Sequence, residues 1–327
     1  MIGDSNQLHA DPRRRFSRSW LTAIPSAWIG LIELTLGMAT IASGFLASNV
    51  VTQHLPVMLA SSVRYTIATL ILLPILLLSG PVPRLSASSW RLLVGVALGG
   101  TLIFNSGLLY GLRSTTVVEA GIVTSTTPML VGLFGLLFYR ERLSRRSWGA
   151  IALATCGVVL VIVQPGEGGG ATLGTVARVG GLLLILMAAS GEAVFNVFGR
   201  RLPRTVSSVT ASILTMAIAV VLFLPGAAIE VMTGPPIPND RDGWLAVVFL
   251  AAVPSAMGLL LWADGVRRVS LAVSGAVTAL IPVFTSLFAV VFIGESLGWP
   301  EIVGIAVIVL SLTLLARSSA REVRELS

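Results

Sequence analysis

The segment PMLVGLFGLLFYRERLS at residues 128–144 returns 154 positions later as PVFTSLFAVVFIGESLG at residues 282–298. Each opens on a proline, crosses an apolar run and reaches a glutamate thirteen positions on: Pro128 with Glu141, Pro282 with Glu295. The same shift aligns residues 90–144 with 244–298 without a gap, at fourteen identities. Scarce residue types carry the match: Trp90/Trp244, Arg113/Arg267, and the two prolines and glutamates. Earlier in the chain a shift of 147 pairs Ala42-Ser43-Gly44 with Ala189-Ser190-Gly191, Asn49 with Asn196, and Leu55-Pro56 with Leu202-Pro203. The sequence therefore reads as two copies of one pattern, residues 28–163 and 178–316. A linker at 164–177 joins them, and polar tails at 1–27 and 317–327 flank them.

Composition says where such a chain lives. Of 327 residues 55% are hydrophobic and only 11% charged, with a mean hydropathy of +0.91. A soluble domain carries about 25% charged residues, so a water-soluble globule and a disordered chain are excluded. A bilayer-crossing helix needs about 20 apolar residues, and ten stretches qualify. They are about Trp28–Ser48, Pro56–Ser79, Trp90–Leu112, Thr115–Phe138, Ser147–Val163, Arg178–Phe198, Thr205–Ala227, Gly243–Val266, Ser270–Ile293 and Pro300–Ala316. They are too long and too uniformly apolar for barrel strands, which are about ten residues of alternating polarity. The fold class is an all-α polytopic membrane protein.

Every one of the 22 basic residues is arginine, and the net charge is +7. With the N-terminus placed in the cytoplasm, eighteen arginines fall on cytoplasmic segments. Arg113, Arg178 and Arg241 fall on outer ones, and Arg64 lies within the second span. This asymmetry orients ten spans with both termini cytoplasmic. The basic charge is thus a topology signal and not the footprint of a nucleic acid. The run Arg13-Arg14-Arg15-Phe16-Ser17-Arg18 before the first span imitates a signal peptide, but losing that span would upset the alternation.

Five spans per half is an odd number, so the halves lie inverted in the membrane. That is the build of many secondary transporters, whose site sits near the midplane between repeats. The two proline-to-glutamate motifs, Arg-Glu-Arg-Leu-Ser at 140–144, Gly-Glu-Ser-Leu-Gly at 294–298 and Arg64 together resemble the EamA-type branch of the drug/metabolite transporter superfamily, over residues 28–316. Arg140 departs from the glycine that the pattern carries before its first glutamate. The resemblance implies a ten-helix inverted-repeat transporter of small metabolites, often an exporter, in the cytoplasmic membrane.

Ionisable groups at membrane depth are costly, and their first reading is functional. Glu192 and Asn196 share a face of the sixth span, and Asn49 is Asn196's repeat partner. Arg64 lies eight residues from the outer end, roughly 12 Å deep at 1.5 Å per residue. It either binds a substrate carboxylate or pairs with Glu119. Glu33 lies near the inner end, where it either snorkels or acts. Asn105, Tyr110, Trp262 and Asp264 sit on the equivalent third and eighth spans; Asp264 either faces Arg267 and Arg268 or joins the site. Trp262 either stacks on an apolar substrate or belongs to the interfacial belt. Glu141 and Glu295 read as caps for helix ends or loop amides, and Gly95, Gly99, Gly107 and Gly111 as helix-packing positions.

The leading function is a secondary transporter, read as an exporter, of a small metabolite or amino acid, with importer, exchanger and passive channel as alternatives of the same fold. Its partners are a small-molecule substrate, the lipid bilayer and protons as coupling ion, with Glu33, Glu119 and Glu192 as coupling carboxylates. Cys156 alone makes no internal disulfide, and His9 and His54 suggest no metal site. The Gly166–Gly170 run lacks the Lys and Ser/Thr of a phosphate loop, so no cofactor is expected. Enzyme activity is not expected either: Ser190 has no histidine partner in a span, and Asp264 is the only aspartate in one.

Overall fold

The computed structural model describes residues 26–78, 84–140, 148–149, 175–203, 205–269, 273, 277–278, 280–307 and 309–310. The fifth expected span apart from residues 148–149, the linker's glycine run, Glu141, Cys156, residues 1–25 and the C-terminal tail lie outside the described residues. All described secondary structure is helical. We label the helices α1 (Ser26–His54), α2 (Val57–Leu78), α3 (Ala87–Leu112), α4 (Val117–Tyr139), α5 (Thr175–Gly199), α6 (Ser208–Thr233), α7 (Arg241–Arg268) and α8 (Leu280–Ile293). The first seven are long and apolar enough to cross a membrane, and α8 is a shorter apolar helix.

Local chemistry sets the boundaries. The residue before a proline is biased away from helical geometry, and α1 ends at His54, ahead of Leu55-Pro56. It runs past the expected end at Ser48 because its polar residues bond back to their own helix, as Thr52 does to the Asn49 carbonyl at 2.7 Å. Ser86, Thr116, Ser207 and Asp240 cap the first turns of α3, α4, α6 and α7 by accepting backbone N–H bonds.

Interior breaks recur at equivalent places. Helix α3 carries a π-helical turn at Leu98–Ile103, and α7 carries one at Ala251–Met257, the same position in the 154-residue register. Helix α4 is interrupted at Ser125–Thr126 and resumes at Thr127 with Pro128 in its first turn. Its two parts end and start among threonines whose hydroxyls bond carbonyls three or four residues back.

Packing follows the repeat register closely. Helix α3 lies on α5, and α1 on α7. A Cβ at Gly107 would stand 2.6 Å from the Leu184 carbonyl oxygen. The counterpart contact, Gly37 against Leu261, lies at the positions the two shifts require, with a Cβ at 3.6 Å. Gly111 against Gly181 likewise has Gly265 against Leu34 as its image. At Gly99 and Gly191 each backbone blocks a Cβ on the other, at 2.7 and 2.5 Å, so only glycine allows that approach. Small residues at helix crossings are the usual means of association where lipid removes a hydrophobic drive. Helices α2 and α6, which are repeat images of each other, pack together with Tyr65 stacked on Phe223 at 5.6 Å. Outward faces are apolar and exposed, as Leu77, Leu78, Val221 and Phe292 show.

Candidate functional site

Arg64 stands two turns into α2 and is half-buried. Its Nη1 donates to Asn105 Oδ1 at 2.7 Å, and its Nε and Nη2 donate to Ser255 Oγ at 3.1 and 3.0 Å. Asn105, fully buried on α3, turns its amide nitrogen to Ser61 Oγ, and Ser61 donates to the Val57 carbonyl at 2.6 Å. Ser255 is placed by a proline: Pro254 has no N–H to offer the Leu250 carbonyl, and the Ser255 hydroxyl takes that carbonyl at 2.8 Å. Both halves thus hold one guanidinium, and all of its partners are neutral. Among the described residues no carboxylate comes within ion-pair distance of Arg64. π-Helical turns are frequent at functional sites, and of the three among the described residues two lie just before Asn105 and around Ser255, the third ending α8 at Ala289–Ile293.

The pairing of Arg64 with Glu119 offered by the sequence is corrected here. Glu119 binds Arg178, at 2.7 Å from Nε, and the two side chains are only 3% and 4% exposed. Glu119 also closes a capping box with Thr116, accepting the Thr116 N–H at 3.1 Å. Its position three residues into α4 fixes it at the helix end, beside the opening of α5. Arg178, counted from sequence among the rim arginines, is therefore a buried ion-pair partner. Glu295 reaches the same corner and accepts from the Val117 and Val118 N–H groups at 2.9 and 3.1 Å, the helix-end role expected of it. Burial pushes the Glu295 carboxyl above its ordinary range and nearby Glu119 adds to that, while the two N–H bonds work against it.

More bonds join the halves at this arginine-poor end, which carries Arg113, Arg178 and Arg241. Asp240 pairs with His54 and caps α7 through the Asp242 and Gly243 N–H groups at 2.9 and 3.3 Å. The Gly243 N–H, then His54, hold the Asp240 carboxyl below its usual range. Tyr110 donates to Glu230 at 3.2 Å, and the Leu59 N–H donates to the other Glu230 oxygen at 2.9 Å. At the arginine-rich end Arg268 reaches Glu33 at 3.1 Å and Asp264 at 2.9 Å. Asp264 thus faces a rim arginine, and Glu33 is the arginine's second partner.

Between the ends, the Thr127 hydroxyl just past the break in α4 shares its one proton between Glu192 at 2.8 Å and the Thr124 carbonyl at 2.7 Å. Asn196 bonds the Glu192 carbonyl at 2.9 Å within its own helix. Asn49 is half-buried, and Trp262 packs beside Leu34, Met38 and Val277. The structure therefore joins Arg64 with Asn105, leaves Glu192 with Thr127, and sends Glu33, Tyr110, Glu119 and Asp264 to the ends. A cavity of about 360 Å³ opens at the arginine-rich end by Pro203, Ser207 and Arg267, and no nominated residue lines it. Among the described residues no cluster of three or more His, Cys, Asp or Glu is placed to hold a metal.

The model of the EamA-like transporter family matches twice, over residues 28–163 and 179–317. The chain belongs to the EamA-like transporter family. It is 30% identical over 280 residues to the uncharacterized transporter YetK of Bacillus subtilis, covering 85% of this chain and 84% of that one. It is 28% identical over 270 residues to the uncharacterized inner membrane transporter YedA of Escherichia coli, covering 80% and 81%. A crystal structure 22% identical shares the fold with a TM-score of 0.59, covering 90% of this chain and 98% of that one. This EamA-like transporter is accordingly a multi-pass integral membrane protein. Sequence reading missed Ser61, Ser255, Thr127, Arg178, Glu230 and Asp240 as partners. For Asp240 a signal existed, an Asp ahead of an apolar run; serines and threonines in apolar helices carry no comparable mark.

Proposed function

We propose that this transporter is a ten-helix inverted repeat with cytoplasmic termini, moving a small metabolite or amino acid out of the cell by alternating access. The observation that carries the reading is the exchange relation: Gly107 on Leu184 has its image in Leu261 on Gly37, and Gly111 on Gly181 in Gly265 on Leu34. Two halves in contact through interchangeable surfaces have two equivalent ways to tilt. The bonds at the arginine-poor end, His54–Asp240, Tyr110–Glu230 and Glu119–Arg178, suit a state closed to the outside.

Arg64 and Asn105 form the substrate contact in this reading, and Asn49 and Asn196 line the path between halves. Of the three coupling candidates, Glu33 and Glu119 already have arginine partners, so Glu192 is the proton carrier. Its described side-chain partner is the Thr127 hydroxyl, which tolerates either protonation state. The test is flux of labelled L-amino acids and short carboxylates in proteoliposomes, with and without an imposed pH gradient. Saturable flux with counterflow, driven by the gradient in the wild type and insensitive to it in Glu192→Gln, is expected. Linear flux without counterflow makes the protein a channel and overturns the reading.

A further inference from the structure

Arg64 has five N–H bonds, and three of them are engaged: one by Asn105 and two by Ser255. One donor remains on each terminal nitrogen. The surrounding polar groups are already committed elsewhere. Ser255 gives its proton to Leu250, Ser61 gives its proton to Val57, and Asn105 gives an amide proton to Ser61. Each therefore presents only its acceptor side to the guanidinium or its neighbour, and none supplies negative charge. The network, with the Tyr65 ring centroid 5.2 Å from the guanidinium carbon, fixes the position and plane of a cation that no carboxylate among the described residues neutralises. A protein that needed only to hold its halves together here would do so with less expense through neutral groups, since a charged arginine at helix centre costs about 2.5–3.5 kcal/mol on insertion scales.

We propose that Arg64, positioned by Asn105, Ser61 and Ser255, is the subsite that takes the carboxylate of the transported solute. This deepens the transporter reading and rests on it. A carboxylate offers two coplanar oxygens and one negative charge, which suits two remaining donors on one planar guanidinium. Because Asn105 and Ser61 belong to the first half and Ser255 to the second, the bound carboxylate sits where both halves meet. Its arrival compensates a charge that the empty site leaves bare, so loading changes the electrostatics at the seam between the halves.

The experiment is a thermal-unfolding screen of the purified full chain in detergent. Matched probes are acetate to hexanoate with their amides, the L-amino acids with their amides, and inorganic phosphate. The expected result is a carboxylate that raises the melting temperature by roughly 2–4 °C while its amide and phosphate do not. Arg64→Gln abolishes that shift, and Arg64→Lys keeps part of it. Asn105→Asp keeps the test decisive if Arg64→Gln fails to fold. It gives Arg64 an internal counter-ion, so the apo protein melts higher and the carboxylate shift disappears. No carboxylate shift in the wild type, equal shifts from amides or phosphate, or a shift that survives Asn105→Asp overturns the proposal. Binding is read without transport, so a carboxylate shift in a protein with channel-like flux would refute alternating access and leave the subsite standing.

Discussion

Among the described residues two arginines lie inside this bundle, and their surroundings are opposites. Arg178 opens α5 at the arginine-poor end and meets the Glu119 carboxylate, both side chains almost wholly buried. Arg64 lies deeper along α2, half-buried, and meets an asparagine and a serine. The first is a closed electrostatic unit, further fixed by the Thr116 capping box and by Glu295 on the neighbouring N–H groups. The second is fixed just as firmly in position but open in charge. The contrast separates what holds the halves together at one end from what waits for a ligand between them.

The largest effect expected from breaking the contrast is at the closed unit. Glu119→Gln removes the carboxylate of a buried ion pair, and loss of one partner of a buried pair costs about 3–5 kcal/mol. Unfolding in detergent checks this, and Glu119→Gln with Arg178→Met recovers most of the loss. At the open unit Asn105→Ala removes one hydrogen bond to a charged group, worth about 1.5–3 kcal/mol. The same unfolding assay is expected to rank it below Glu119→Gln. A smaller effect again belongs to Arg140, which ends α4 at φ 54°, whereas Gly294 at the equivalent position ends α8 at φ 73°. A left-handed residue with a Cβ costs about 1 kcal/mol, so Arg140→Gly is expected to stabilise by that amount with transport unchanged.

The His54–Asp240 tie gives a pH test at the same end as the closed unit. The folded Asp240 carboxyl titrates below its unfolded value near 3.9. Its contribution is therefore complete above that value and lost as pH falls through the lower folded one. Acrylamide quenching of a fluorophore attached beforehand to a cysteine at Asn239 is expected to rise below about pH 4 as the Asp240 carboxylate is lost.

Much of this architecture was legible in the sequence. Gly99, Gly107 and Gly111, read from sequence as packing positions, do meet α5 closely, and the fourteen identities at shift 154 with the triplets at shift 147 set the register in which Gly37 on Leu261 is the image of Gly107 on Leu184. Repeated small residues at helix spacing are enough, because close helix crossings admit little else. The partner of Glu119 was not legible. Arg178 lies 59 residues away, and the alternation of spans placed it at a rim without showing that α4 and α5 begin side by side. The acceptors around Arg64 were hidden for a different reason. Ser61 and Ser255 look like any hydroxyl in an apolar helix, and the π-helical turn that aims Ser255 shows only as Pro254, one residue before it. Glu230 escaped because α6 runs to Thr233, past its expected end at Ala227.

The most direct measurement compares Arg64→Gln with Arg178→Gln in paired assays of unfolding and carboxylate flux. If Arg64 is a positioned but uncompensated cation, Arg64→Gln melts at or above the wild-type temperature and transports nothing, while Arg178→Gln is strongly destabilised by the carboxylate it strands. Equal destabilisation of the two variants, or wild-type flux from Arg64→Gln, contradicts the account.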